Sequence, residues 1–117
     1  MNTKNDKSKY DSNWKDAMVP SWEPKKVGDE IAGIIEASGV VTMNEKEGPR
    51  DVPYVDITTD DGECLKVFMG SAGLHSIYQR EQPQPGDTIA FRLSGFDEAR
   101  GKKGNPMKIY QYRYTPA

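Results

Sequence analysis

The chain is poor in the residues that most reaction centres need. It holds one cysteine, Cys64, and one histidine, His75. No intramolecular disulfide can form, and a cysteine-based zinc site within one chain is excluded. Aromatic residues make up 9% of the chain and apolar residues 35%. No apolar run approaches the ~20 residues that span a bilayer. The first residues, MNTKNDKSKYDSNWKD, lack the apolar stretch of a secretory signal. No membrane is expected as a partner, and a cytoplasmic location follows by default. No P-loop, H-E-x-x-H or dinucleotide fingerprint appears. His75 and Cys64 are joined by no thiol-protease pattern, and the carboxylates Asp56 and Glu63 alone do not define acid–base catalysis. The sequence thus points to no catalytic residue, no metal and no cofactor.

What is present fits a small binding domain. A length of 117 residues allows one domain with one modest core. Sixteen Lys and Arg stand against eighteen Asp and Glu, for a formal charge of -2. A generic duplex-coating protein is usually strongly basic, so bulk attraction to nucleic acid is excluded and only a local groove is left. Residues 1–20 are polar and aperiodic, and read as a flexible N-terminal tail. In that tail Trp14 divides between loose packing on the domain, docking and plain exposure. Residues 21–117 form the domain.

Five strands and one helix are expected. Ile31 to Val41 is rich in β-branched residues, with Gly33 and Gly39 allowing a bend or bulge. Asn44 to Arg50 reads as a charged loop, stopped by Gly48-Pro49. Val52 to Thr59 alternates, Asp60-Asp61-Gly62 turns, and Glu63 to Met69 alternates again, which is a hairpin. Leu74, Ile77 and Tyr78 recur at helical spacing between Gly70 and Glu81, with Ser71 as the candidate cap. Pro83 and Pro85 stop the helix. Thr88 to Ser94 is the fourth strand, Asp97 to Asn105 a polar loop, and Met107 to Tyr114 the fifth strand. Three strands, a helix and two strands fit an all-β class: a five-stranded OB-fold barrel with a short helix between strands three and four. An SH3-like small barrel is the runner-up.

The chain resembles the small OB-fold single-stranded-DNA-binding-like proteins of phages and mobile elements. The elements that carry the likeness are Trp22-x-Pro24, Val27-Gly28-Asp29-Glu30-Ile31-x-Gly33, Thr59-Asp60-Asp61-Gly62-Glu63, Pro85-Gly86-Asp87-x-Ile89, and Gly101 through Tyr110. They span residues 20–114, and their order and spacing give them weight. The long polar tail departs from that pattern, as does the lack of an acidic recruitment tail. The resemblance implies single-stranded DNA as partner, with RNA as a second choice, in replication, recombination or repair. The competing reading is a protein-interaction adaptor, inhibitor or assembly component using the OB-fold surface, with a protein partner meeting the tail or the aromatic face.

Single-strand binding needs flat rings for bases and cations for phosphates. Alternation puts Tyr54 and Phe68 on outward faces, where each divides between local packing and base stacking. Tyr110, Tyr112 and Tyr114 share one face of the last strand, either as a structural ladder or, at Tyr110, as a stacking site. The cationic candidates are Arg50, Lys66, Arg92, Arg100, Lys102, Lys103 and Lys108, although Glu45 and Glu47 beside Arg50 repel phosphates. The expected contact set is Tyr54, Lys66, Phe68, Arg92, Arg100, Lys102, Lys103 and Tyr110. Trp22 is expected to close the open end of the barrel by packing.

Overall fold

The computed structural model describes residues 19–117 apart from 103 and 104, and gives the backbone alone for 101 and 102. The expected tail up to Met18, with Trp14, lies outside the described residues. The elements are β1 (Glu30–Glu45), β2 (Gly48–Thr59), β3 (Cys64–Phe68), α1 (Ala72–Glu81), β4 (Thr88–Lys102) and β5 (Asn105–Thr115). Every ladder is antiparallel, and the strand order is β3-β2-β1-β4-β5.

Period-two alternation builds the core. Ile31 and Ile35 of β1, Val55 and Ile57 of β2, Val67 of β3, and Ile89 and Phe91 of β4 turn to one face and are buried. Leu74 and Ile77, three residues apart on α1, cover them. Asp60-Asp61-Gly62 makes the expected turn: Gly62 has φ 86°, and its N–H donates to the Thr59 carbonyl at 2.9 Å. Ser71 caps α1 by backbone position without a side-chain hydrogen bond.

The barrel expectation is corrected. The two ends of the sheet, β3 and β5, are not neighbours, so the sheet stays open and is not an OB-fold barrel. The physical reason is that the β3 edge is already occupied. Lys66 of β3 turns its main-chain groups outward; its N–H donates to the Pro20 carbonyl, and its carbonyl accepts from the Trp22 N–H, both at 2.8 Å. Pro20–Trp22 thereby lies along β3 in parallel, bridged at Ser21. On the other edge, the first turn of α1 sits against β5: a Cβ at Gly73 would lie 3.4 Å from the Lys108 carbonyl oxygen. With the barrel goes the resemblance to OB-fold single-stranded-DNA-binding-like proteins, since that likeness rested on closure.

Both expected flanking loops are also corrected. Asn44 to Arg50 is a continuation of the β1–β2 ladder around a turn at Lys46-Glu47, with Glu45 opposite Gly48. Thr42 Oγ1 donates to Asp51 Oδ1 at 2.7 Å across this arm. Asp97 to Asn105 lies within the β4–β5 hairpin, with Lys102 opposite Asn105. β1 carries a register shift between Ile35 and Ala37, so its irregularity falls at Glu36 and not at Gly33 or Gly39, which are regularly paired. Gly33 marks a close approach: a Cβ there would fall 2.0 Å from the Thr58 carbonyl oxygen.

Candidate functional site

A groove forms where four parts of the chain meet. The segment after the Pro20–Trp22 bridge supplies Trp22, Glu23, Pro24 and Lys25. The β1–β2 arm supplies Met43, Arg50 and Val52; the end of β3 and the start of α1 supply Phe68 and Leu74; β5 supplies Lys108 and Tyr110. The groove holds about 550 Å³. Three rings and three cations therefore line one depression; Glu23 is the carboxylate in its wall, and Glu45 stands beside it, bonded to Arg50.

Each side chain has a local reason for its place. Phe68 is opposite Tyr54 on the β2–β3 ladder, on the face away from Val55 and Val67, so it cannot join the core. Trp22 is half-buried, with its ring 6.3 Å from Phe91 and 6.1 Å from Tyr110, and fills the gap between the sheet ends. Tyr110 is half-buried too, and burial pushes its phenol pKa upward, so it remains a hydrogen-bond donor. Lys108 Nζ donates to the Pro24 carbonyl at 2.6 Å, which ties β5 to the N-terminal segment. Arg50 donates from Nε to Glu45 Oε2 at 3.2 Å and from Nη1 to the Gly70 carbonyl at 3.2 Å. The guanidinium is thus held at the rim by two bonds. Among the described residues no ion pair involves Lys25 or Lys108.

The expected contact set is divided by the fold. Phe68 and Tyr110 come together in the groove. Tyr54 and Lys66 form a separate cluster: Lys66 Nζ lies 3.6 Å from the centre of the Tyr54 ring and 2.9 Å from Asp56 Oδ1. The side chains of Lys66 and Asp56 are 17% and 13% exposed, so that ammonium is already matched by a neighbouring carboxylate. The Tyr54 ring also covers Gly39, where a Cβ would meet its hydroxyl at 2.8 Å. Arg92 is exposed on β4 and donates to Gln111 Oε1, at 2.6 Å from Nη2. Arg100 is exposed on the β4–β5 hairpin, 3.7 Å from Asp97. The Lys102 side chain and Lys103 lie outside the described residues.

Trp22, expected chiefly as packing with ligand contact as the lesser reading, is a wall of the groove. Lys25 carried no signal in the sequence; it follows the buried Pro24, whose carbonyl holds Lys108, and its own N–H donates to Asp29 Oδ2 at 2.8 Å. Arg50 and Lys108 were candidates by charge alone, and only the arm and the β5 register bring them to Phe68.

Comparison with protein-family models, curated proteins and solved structures finds no match. The expected function is corrected on the fold itself. A single-strand groove across a closed barrel, flanked by two flexible loops, needs closure and loops that are absent here. Roles in DNA replication, recombination or repair, and an adaptor role resting on an OB-fold surface, lose their basis with it. Among the described residues no helix is long and apolar enough to cross a membrane, and no group of three or more acidic, histidine or cysteine side chains is placed to hold a metal.

Proposed function

We propose that this domain is a receptor for a small anionic ligand that carries a flat ring, bound without covalent chemistry in the groove between the N-terminal segment, the β1–β2 arm, α1 and β5. The observation that carries this reading is the convergence of Trp22, Phe68 and Tyr110 with Lys25, Arg50 and Lys108 on one depression of about 550 Å³. That volume lies within the usual range for small-molecule sites. The rings take the flat apolar body of the ligand. Lys25 and Lys108, which no carboxylate pairs among the described residues, take its anionic group; Arg50, already paired with Glu45, adds only its remaining N–H donors at the rim. Affinity then depends on both halves of the ligand and falls with salt, because the rim is open to solvent.

The test uses three probes in an amide NMR titration: naphthalene-2-sulfonate, the neutral 2-naphthalenemethanol, and methanesulfonate. Only the first, with ring and charge together, is expected to shift Phe68, Tyr110 and the Trp22 indole saturably. Arg50→Met and Lys108→Met are each expected to weaken it about tenfold, the value of one charge-assisted hydrogen bond. Equal shifts from the neutral ring, or shifts centred on another face, overturn the proposal.

A further inference from the structure

A second depression lies at the other end of α1 and shares no residue with the groove. Ser38, Gly39 and Val40 of β1 form one wall; Tyr78 and Gln79 of α1 and Gln82, Pro83 and Gln84 of the turn that follows form the other. It holds about 470 Å³, and no carboxylate, ammonium or guanidinium lines it. Three primary amides, a serine hydroxyl and a tyrosine ring stand there together. In a chain with 29% charged residues, that composition selects against an ion and for a neutral, hydrogen-bonding ligand.

The turn that carries the amides is held still. Gln82 adopts φ 48°, the one positive φ outside glycine among the described residues, and its N–H closes the helix onto the Tyr78 carbonyl at 2.8 Å. Glycine is the ordinary residue for such a helix end. Pro83 is fully buried. The Gln84 N–H donates to Asp87 Oδ2 at 2.8 Å, and Gln84 Nε2 donates to the Gln82 carbonyl at 3.3 Å, so the Gln84 amide presents its oxygen as an acceptor. Tyr78 is half-buried and is stacked with His75 at 6.3 Å between ring centres. Opposite, Val40 is 57% exposed and offers an apolar contact.

We infer that this is a binding site for a neutral polyhydroxyl ligand of the size of one sugar ring. Each amide both donates and accepts, as a row of hydroxyls does. Tyr78 and Val40 face the C–H surface of such a ring. Glutamine where glycine is the ordinary choice is explained by its side chain's part in this contact. Nothing here depends on the groove proposed above.

The test is an amide NMR titration of the full chain with methyl β-D-glucopyranoside, with glycerol as the polyol control. Saturable shifts of the Gln79, Gln82 and Gln84 side-chain amides are expected in the millimolar range, with no comparable response to glycerol. Gln82→Gly relieves the backbone and is expected to keep or raise the melting temperature while weakening the sugar about tenfold. Gln79→Ala, on the exposed face of α1, is expected to weaken it as well. Response of this variant pair to naphthalene-2-sulfonate stays as in the wild type, which separates the two sites. Absent or non-saturating shifts, equal shifts with glycerol, or full sugar affinity in Gln82→Gly each overturn the inference.

Discussion

Asp87 is the buried carboxylate of this fold, at 5% exposure, and three donors account for it. It accepts from the Tyr114 hydroxyl at 2.5 Å, the Ala117 N–H at 2.9 Å and the Gln84 N–H at 2.8 Å. The Tyr114 bond, then the Gln84 and Ala117 amides, hold its carboxyl below the ordinary value of 3.8. The same Asp87 bond, with some desolvation, pushes the Tyr114 phenol up to about 12. The two shifts have opposite consequences. A carboxylate with a depressed folded pKa contributes stability above its unfolded value, and loses it as pH falls through the folded one. A phenol with a raised folded pKa contributes below about pH 10, its unfolded value, and loses that as pH rises toward its folded one. The stability difference between wild type and Tyr114→Phe, from urea titrations across pH, is therefore expected to be flat near neutrality. It should shrink at both extremes, below about pH 4 and above about pH 10. A difference that stays constant into strong alkali contradicts this bond. Two glycines make a second comparison at this scale. Gly33→Ala drives a methyl into the Thr58 backbone carbonyl, which cannot swing aside, whereas Gly39→Ala meets the movable end of Tyr54. The expected losses are about 3 kcal/mol or more for the first and about 1 kcal/mol for the second, read by urea unfolding.

At the scale of the element, the Pro20–Trp22 segment acts as a cover for β3. Trp22→Ala removes contacts to Phe91 and Tyr110, but the ring is only half-buried. The expected cost is about 2 kcal/mol, under the 3–5 typical of a fully buried aromatic, and thermal unfolding checks it. Elements with a buried face were legible in the sequence. The alternation of Val55 and Ile57 against Tyr54 and Asp56, and the spacing of Leu74 and Ile77, name the inward positions. The two hairpin arms were not legible, because they leave the core behind. Beyond the Val41–Val52 pair and past Gly95 the strands have little inward side, so polar residues carry no period, and Gly48-Pro49 reads as a loop. Pro53 sits where the β2–β3 ladder ends, its carbonyl accepting from the Met69 N–H at 2.8 Å, and Pro49 lies beyond that ladder on the edge, where a missing N–H is tolerated. The site was half legible for the same reason. Outward Phe68 follows from alternation, but its meeting with Trp22, Arg50 and Lys108 depends on an edge segment and an arm that no local pattern announces.

Taken whole, the molecule leaves its sheet open and protects its β3 end with another part of the chain. Unpaired edges invite pairing with other chains, and a short β3 covered by Pro20–Trp22 removes that hazard at one end without closure, while at the other the first turn of α1 lies beside Lys108 of β5. This arrangement predicts where hydrogen exchange is global and where it is local. The Ile35 N–H donates to the Asp87 carbonyl, and the Gly86 N–H to the Ile35 carbonyl, both at 2.8 Å; Ile35 is buried, whereas Gly86 lies in an exposed turn. The Ile35 amide is expected to exchange only through global unfolding. The Lys66 N–H depends on Pro20 alone. In a chain shortened to begin at Glu23, Lys66 is expected to exchange orders of magnitude faster, while Ile35 changes only as far as global stability changes. In a barrel closed by β3 against β5, Lys66 would keep its protection in the shortened chain, because its partner would be a strand rather than the removed segment. The shortened chain also exposes a strand edge, so concentration-dependent association by analytical ultracentrifugation is expected there and not in the full chain.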